Sequence, residues 1–392
     1  MQADTGVASL SDRGPSPPGS VGREGSSRAR LHLLADFTPK RDRTLDLFFS
    51  AVARQFAAKG WEVEITFASA GPAEYTEELE RANVRVSRLP FPFGTASARE
   101  LAGRLRRRPG TVLQAHFLGT FEPRLLALKA LGFVEKLQIV DHLSGDLRRL
   151  PLPGEWLRRG RGRMAGLLVD EYVAVSRFVA ARIERAGVPR ERIRIIENGI
   201  ATERYMRDPA RPRAPLPRVL FAGQLIEEKG VQTLIEAASA MPAAAEWIIA
   251  GAGRYRPDLE SLARRRDVPA RFVGHVDSAE LFRGADIVVV PSLWEEAFGL
   301  VAVEGMAAGA AVVVSDAGGL PEVVGDSGVV VPRGDPLALR SALETLLRSR
   351  QERVRLGTAA QRRAGARFTL ARMISEHAES LQSLLLDASA TM

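Results

Sequence analysis

Residues 286–316, DIVVVPSLWEEAFGLVAVEGMAAGAAVVVSD, run through a strand, a tight loop, a helix and a second strand with almost no residues to spare. The β-branched run 286–290 suits a parallel strand buried on both faces, and Pro291 and Ser292 end it. Gly299 lets the backbone turn closely into a helix expected from about 298 to 308; Gly309 stops that helix, and 312–314 form the next strand. In such a unit the first helical N–H groups have no partner within the helix and point at the carboxyl edge of the sheet, where they and the helix dipole attract a phosphate.

Two carboxylates flank this anion site. Glu296 lies in the loop, and Glu304 lies about six residues into the helix, roughly 9 Å further along and close to the span of a nucleotide diphosphate. Ionised carboxylates only accept hydrogen bonds, so they suit hydroxyl groups rather than phosphates. One acid would face whatever the diphosphate carries, and the other the ribose. Taken singly, Glu295, Glu296 and Glu304 fit solvated acids near a helix N-terminus equally well.

A chain of 392 residues is too long for one core and implies two domains. With 45% hydrophobic and 26% charged residues it has the composition of a globular protein. The lack of cysteine excludes disulfides, thiolate metal sites and cysteine nucleophiles, and fits a reducing cytosol. The net charge of +8 favours anionic partners.

Residues 1–29 read as a disordered tail rather than a signal peptide, and no stretch is long and apolar enough to span a bilayer. Strand and helix patterns then alternate over 30–205, and again over 218–385 after a Pro-rich linker at 206–217. The final helices are expected to pack back toward the first domain. The fold class is therefore α/β: two doubly wound Rossmann-like domains facing a cleft, where ligands usually sit.

Glu296, seven residues, then Glu304, with Phe298-Gly299 after the first acid and Gly309 after the second, resembles the signature of the retaining glycosyltransferases of family 4, which have the GT-B fold. The resemblance runs from about residue 30 to residue 385. Phe221-Ala222-Gly223-Gln224-Leu225 leading to Glu228-Lys229-Gly230 matches the family's first strand and loop of the second domain. That loop normally carries an Arg and a Lys on the diphosphate; here Lys229 is present and Gln224 replaces the Arg, keeping donors but losing the charge. Gly318-Gly319-Leu320-Pro321-Glu322 also matches, with the glycine pair read as permitting close ligand approach, as do Tyr172-Val173-Ala174-Val175-Ser176 and Glu197-Asn198-Gly199-Ile200. His142 falls where the family places a cleft histidine beside the transferred sugar; His116 and Asp141 face the same edge and are weaker candidates. The first loop, Asp36-Phe37-Thr38-Pro39-Lys40-Arg41-Asp42-Arg43, lacks the family's glycine pair, and its charges suggest an anionic or polyhydroxylated acceptor.

The resemblance implies a glycosyltransferase of hexosyltransferase type, working in bacterial polysaccharide or glycoconjugate synthesis. It would move a sugar from a UDP- or GDP-sugar to a hydroxyl of a glycan, lipid-linked or small-molecule acceptor, with retention. Glu296, His142 and Lys229 would be catalytic. Gly223, Gln224, Lys229, Glu296, Phe298, Gly299, Leu300, Val301 and Glu304 would bind the donor. No Asp-x-Asp occurs, so no metal or other cofactor is expected; Lys229 and the helix N-terminus would take charge from the leaving group. Gly251-Ala252-Gly253 lacks the third glycine of a dinucleotide fingerprint and reads as an ordinary turn.

Two readings stand beside this one: a GT-B sugar-nucleotide epimerase, and a basic binding protein on the same fold without turnover. Two basic tracts, Arg104-Leu105-Arg106-Arg107-Arg108 and residues 156–163 (WLRRGRGR), read as solvated helix faces or as a patch for an anionic membrane surface, where Trp and Leu interleave with Arg. No nucleic-acid module is recognisable. The implied location is cytoplasmic, the membrane reading adding peripheral contact with the inner face of the cell membrane.

Overall fold

The computed structural model describes residues 29–40, 43–69, 71–105, 110–145, 151–207, 214–275 and 278–389. The tail expected over residues 1–28, Arg41 and Asp42 of the first loop, Arg106, Arg107 and Arg108 of the first basic tract, and linker residues 208–213 lie outside the described residues.

The first series runs β1 (Arg30–Ala35), α1 (Thr44–Ala58), β2 (Glu62–Phe67), α2 (Ala73–Arg81), β3 (Val84–Arg88), α3 (Thr95–Leu105) and β4 (Thr111–His116). It continues through α4 (Pro123–Ala130), β5 (Lys136–Asp141), α5 (Leu152–Leu168), β6 (Glu171–Ala174), α6 (Arg177–Arg185) and β7 (Ile193–Ile195). The strands pair in parallel in the order β3-β2-β1-β4-β5-β6-β7.

A second series begins with β8 (Arg218–Ala222), α7 (Val231–Ala238), β9 (Glu246–Ala250), α8 (Arg256–Arg265), β10 (Arg271–Gly274) and α9 (Ser278–Gly284). Then follow β11 (Ile287–Val290), α10 (Leu300–Ala307), β12 (Ala311–Ser315), α11 (Leu320–Val324), β13 (Val329–Val331) and α12 (Pro336–Arg348). Its six parallel strands take the order β10-β9-β8-β11-β12-β13. In both sheets the strand order reverses beside the first strand of the series, and the crevice at that switch lies at the carboxyl ends of the strands.

The central strands explain themselves. Residues of β11 and β12 are buried throughout and consist almost wholly of Val, Ile and Ala, the pattern of a sheet covered on both faces. β4 and β5 are also fully or nearly fully buried, yet carry Gln114, His116 and Gln138. Gln114 pairs in register with Gln138, and Gln138 with Glu171 of β6, so a row of polar side chains crosses one face of the first sheet.

Two last helices, α13 (Arg350–Arg367) and α14 (Leu370–Ser389), finish the chain. The first packs on the second sheet, where Ala360 and Ala364 are buried. α14 returns to the first sheet: Met373, Ala378, Leu381 and Leu384 share one apolar cluster with Leu31, Leu33, Phe48 and Val63. The chain crossing back also ties the two domains together. Ile200 and Thr369 form a parallel bridge where the chain crosses back, and Arg367 holds Glu197 with two bonds of 2.7 Å.

Candidate active site

The helix at the centre of the sequence argument begins at Leu300, two residues later than expected. Gly299 is the reason: its φ of +104 is left-handed, so Phe298 stays in the loop and the helix starts abruptly. A Cβ at Gly299 would also overlap Leu320 Cδ2. No side chain among the described residues caps α10, so the Leu300 and Val301 amides at its first turn are left for a ligand.

These residues border a cavity of about 580 Å³ in the cleft. Gly223, Gln224, Lys229, Glu296, Phe298, Gly299, Leu300 and Val301 line it from the second domain, and His142 and Ser144 from the first. Glu304 lines an adjoining cavity of about 460 Å³, which shares Ala222, Gly223, Gln224 and Val301 with the first. The donor-binding and catalytic candidates thus all line these two adjoining cavities, whereas His116 and Asp141, the weaker candidates, line neither.

Glu296 is buried, 7% exposed, and its Oε1 is heavily used: Lys229 Nζ donates at 2.6 Å, Ser292 Oγ at 2.7 Å and Trp294 Nε1 at 3.3 Å. No hydrogen bond to Oε2 is formed among the described residues. Lys229, expected on a phosphate, is here paired with this acid and lies 5.1 Å from the Trp294 ring centroid. The glycine pair Gly318-Gly319 departs from its expected role. Gly318 N donates to Glu295 Oε2 and Gly319 N to Glu296 O at 2.8 Å, and a Cβ on Gly318 (φ +60) would overlap Glu296 O. The pair permits close approach of the Glu296 loop rather than of a ligand.

Glu304 accepts from the Tyr205 hydroxyl at 2.8 Å, and burial pushes its pKa up to about 7. Tyr205 was not singled out in the sequence; Arg43, named there only as one of the charges of the first loop on the acceptor side, lines the second cavity together with Gln224. Gly251, Ala252 and His275 line that cavity too, so the stretch read as an ordinary turn borders the site. Its signal was position alone: a glycine-flanked turn at the carboxyl end of β9, beside the switch point.

The loop carrying His142 is anchored from below. Asp141, fully buried, accepts from Arg182 and Thr120 at 2.6 Å and from Leu143 N at 2.9 Å, so it supports the loop and does not reach the cavity. Arg182 also donates to Leu143 O and Gly145 O at 2.6 Å. Across the cleft, Gly145 N donates to Glu295 O at 2.6 Å, and Ser176 Oγ donates to Ala297 O at 2.5 Å. Glu322 reaches over to the N-terminus of α6, accepting from Arg177 N and Phe178 N at 3.1 Å.

His116 is fully buried and serves His142 from behind. The polar row across the first sheet fixes each proton in turn. Glu171, paired with Arg194 at 2.7 Å, only accepts, so Gln138 Nε2 donates to it at 2.9 Å. Gln138 Oε1 then accepts from Gln114 Nε2, and Gln114 Oε1 accepts from His116 Nε2 at 2.9 Å. Burial keeps His116 neutral, its pKa well below the usual range, so its Nδ1 is an acceptor and takes the proton of His142 Nε2 at 3.0 Å. His142, its own pKa lowered to about 4 by burial, is left with an unprotonated Nδ1. From α14, Ser380 Oγ accepts from Gln138 at 2.6 Å and His377 Nδ1 from Gln114 at 3.3 Å, using the remaining amide protons. Phe117, at φ +61, stacks on the His142 ring at 4.3 Å.

Among the described residues no group of three or more His, Cys, Asp or Glu side chains stands where it could hold a metal ion.

Comparison with known proteins agrees with this architecture. A family model described as Glycosyltransferase Family 4 matches residues 48–204, and one described as Glycosyl transferases group 1 matches residues 216–349. The D-inositol 3-phosphate glycosyltransferase of Xylanimonas cellulosilytica is 29% identical over 385 residues, covering 86% of this chain and 91% of its own. The alpha-D-kanosaminyltransferase of Streptomyces kanamyceticus is 28% identical, covering 68% of this chain and 76% of its own. Anabaena HepE, solved in complex with UDP and glucose, shares the fold with a TM-score of 0.72 at 20% identity, over 90% of this chain and 99% of its own.

Two parallel Rossmann-like sheets facing across a cleft define a protein of the GT-B class. Its two halves match successive parts of one kind of enzyme. The chain belongs to the family 4 glycosyltransferases.

Proposed function

We propose that the enzyme transfers a sugar from a nucleoside diphosphate donor to a hydroxyl acceptor with retention of configuration and without a metal. The observation that carries this reading is the sharing of one continuous cleft by Glu296, Lys229, the α10 N-terminus and Glu304. The diphosphate lies against the amides of Leu300 and Val301, with Gln224 and Lys229 beside it. The ribose hydroxyls donate to Glu304. Arg43, reaching in from the first domain, supplies the cation that Gln224 does not.

The acceptor oxygen attacks the anomeric carbon on the face the diphosphate leaves. As the new C–O bond forms, the bond to the diphosphate breaks and the acceptor proton passes to the departing phosphate. The helix N-terminus and Lys229 take up the charge that develops there. Glu296 Oε2 orients the sugar, and His142, neutral near pH 7, accepts a hydroxyl hydrogen bond at Nδ1 rather than delivering a proton. The solved neighbour containing UDP makes a UDP-sugar the first donor to try.

Thermal stabilisation by UDP-, GDP-, ADP- and dTDP-sugars tests the site. A ligand at a hundred times its dissociation constant adds about 2.7 kcal/mol. One nucleotide class is expected to stabilise the protein and to lose its effect in Glu304→Ala and Lys229→Ala, with donor turnover following. No stabilisation by any donor would overturn the reading.

A further inference from the structure

Helix α5 has its large apolar side chains on the outside. Leu152, Trp156, Leu157, Met164 and Leu167 are each between 64% and 80% exposed. At 3.6 residues per turn they fall within an arc of about 140° on one side of the helix. The side that meets the protein is made of Gly162, Ala165 and Gly166, all buried. A Cβ on Gly162 would overlap Ala186 O, and one on Gly166 would sit 2.6 Å from Pro189 Cδ. The helix is thus seated by its smallest residues, and none of the five large ones is needed for the core.

Charge decides what the outer face meets. Arg163 stands within the apolar arc, and Arg159 and Arg161 lie beyond its two edges, all exposed, whereas Glu155, the one acid of the helix, is partly covered and paired with Arg158. A two-fold contact with a second copy would set this basic face against itself. A convex helix with Trp and Leu outward, edged by Arg and lying on the surface rather than over a groove, is the form that settles into the headgroup boundary of an anionic bilayer. We propose that α5 is a peripheral membrane-docking helix whose partner is an anionic lipid surface. α5 begins a few residues after the loop that brings His142 and Ser144 to the cleft, so docking holds the cleft close to the bilayer.

Flotation of the full chain with vesicles of phosphatidylglycerol and phosphatidylcholine in equal parts, against phosphatidylcholine alone, tests this. Binding is expected on the anionic vesicles, weakening with salt and by about fivefold for each arginine removed. The pair Trp156→Ser with Leu167→Ser is expected to lower it by at least about tenfold, with the melting temperature and the response to nucleotide sugars unchanged. Should that pair fail to fold, Arg159→Glu with Arg163→Glu, which alters only exposed side chains, carries the same expectation. Absence of vesicle binding, or binding undiminished in these variants, overturns the proposal. So does a dimer in solution that Trp156→Ser abolishes without any vesicle binding, which would assign the face to a second copy. Donor binding is read separately, so a failure here leaves the transferase reading untouched.

Discussion

At the scale of single residues, Glu304 is held at a pKa of about 7 by burial, although the ribose hydroxyls it is proposed to bind are donors and favour the ionised carboxylate. Donor affinity should be full above that value and fall as pH drops through it. Calorimetric titration at pH about 6 should give a dissociation constant about tenfold weaker than at pH about 8, and Glu304→Gln should abolish the difference. The histidine relay gives a second expectation. Gln138→Leu removes the link between Glu171 and Gln114, so nitrogen NMR should show the His142 ring losing its single tautomer, with kcat falling roughly 5- to 10-fold, the worth of one buried hydrogen bond. A purely structural role for Gln138 would leave the tautomer unchanged. The acids, Lys229 and His142 could be read from the sequence because family motifs and strand ends mark them. Tyr205 and the relay could not, since each depends on a contact between segments far apart: Tyr205 with Glu304, α14 with β4 and β5; the charge of Arg43 was visible, but not its place beside Gln224. The one local trace of the relay was polar residues on alternate positions of an otherwise apolar strand, Gln114 and His116.

At the scale of elements, the start of α10 depends on a backbone angle. Gly299→Ala forces a Cβ into the left-handed region, at about 1–2 kcal/mol, and into Leu320. The variant should melt lower and bind donor more weakly, while Gly103→Ala, in an open position of helix α3, should melt slightly higher and leave donor binding unchanged. The alternation of β-branched runs with helical patterns was legible throughout, because parallel strands buried on both faces need continuous apolar runs. Helix ends were less so: α8 begins at Arg256, ahead of its first buried apolar position, Leu259, because a polar first turn carries no periodic signal. α5 showed its Trp and Arg in the sequence, but which side faced inward required knowing that glycines seat it.

At the scale of the whole molecule, burial of histidines couples folding to pH. His32 and His142 are lowered to about 4, His377 to about 3, and His116 well below its ordinary 6.5. Between those values and 6.5 the unfolded chain binds more protons, so their contribution to stability is complete above pH 6.5 and is lost as pH falls through the window. Glu304 opposes them: raised from 4.5 to about 7, it keeps its proton in the folded state and gains stability as pH falls across that range. Near pH 5.5 the four histidines outweigh the one acid, so unfolding should take up protons and stability should fall as pH drops. Denaturant unfolding at a series of pH values measures it; a flat profile below pH about 6.5 would contradict the neutral, buried relay.

The path of α14 bears on how the protein is made. A ribosome completes every strand of the first sheet well before it reaches Met373, Ala378 and Leu381, which cover one face of that sheet. Until they emerge, the row of Gln114, Gln138 and Glu171 has no lid, and the half of the enzyme synthesised first cannot close its core. The first domain therefore matures only after the whole of the second has been made, so a chaperone or a pause in synthesis would act on this half rather than on the one that follows it.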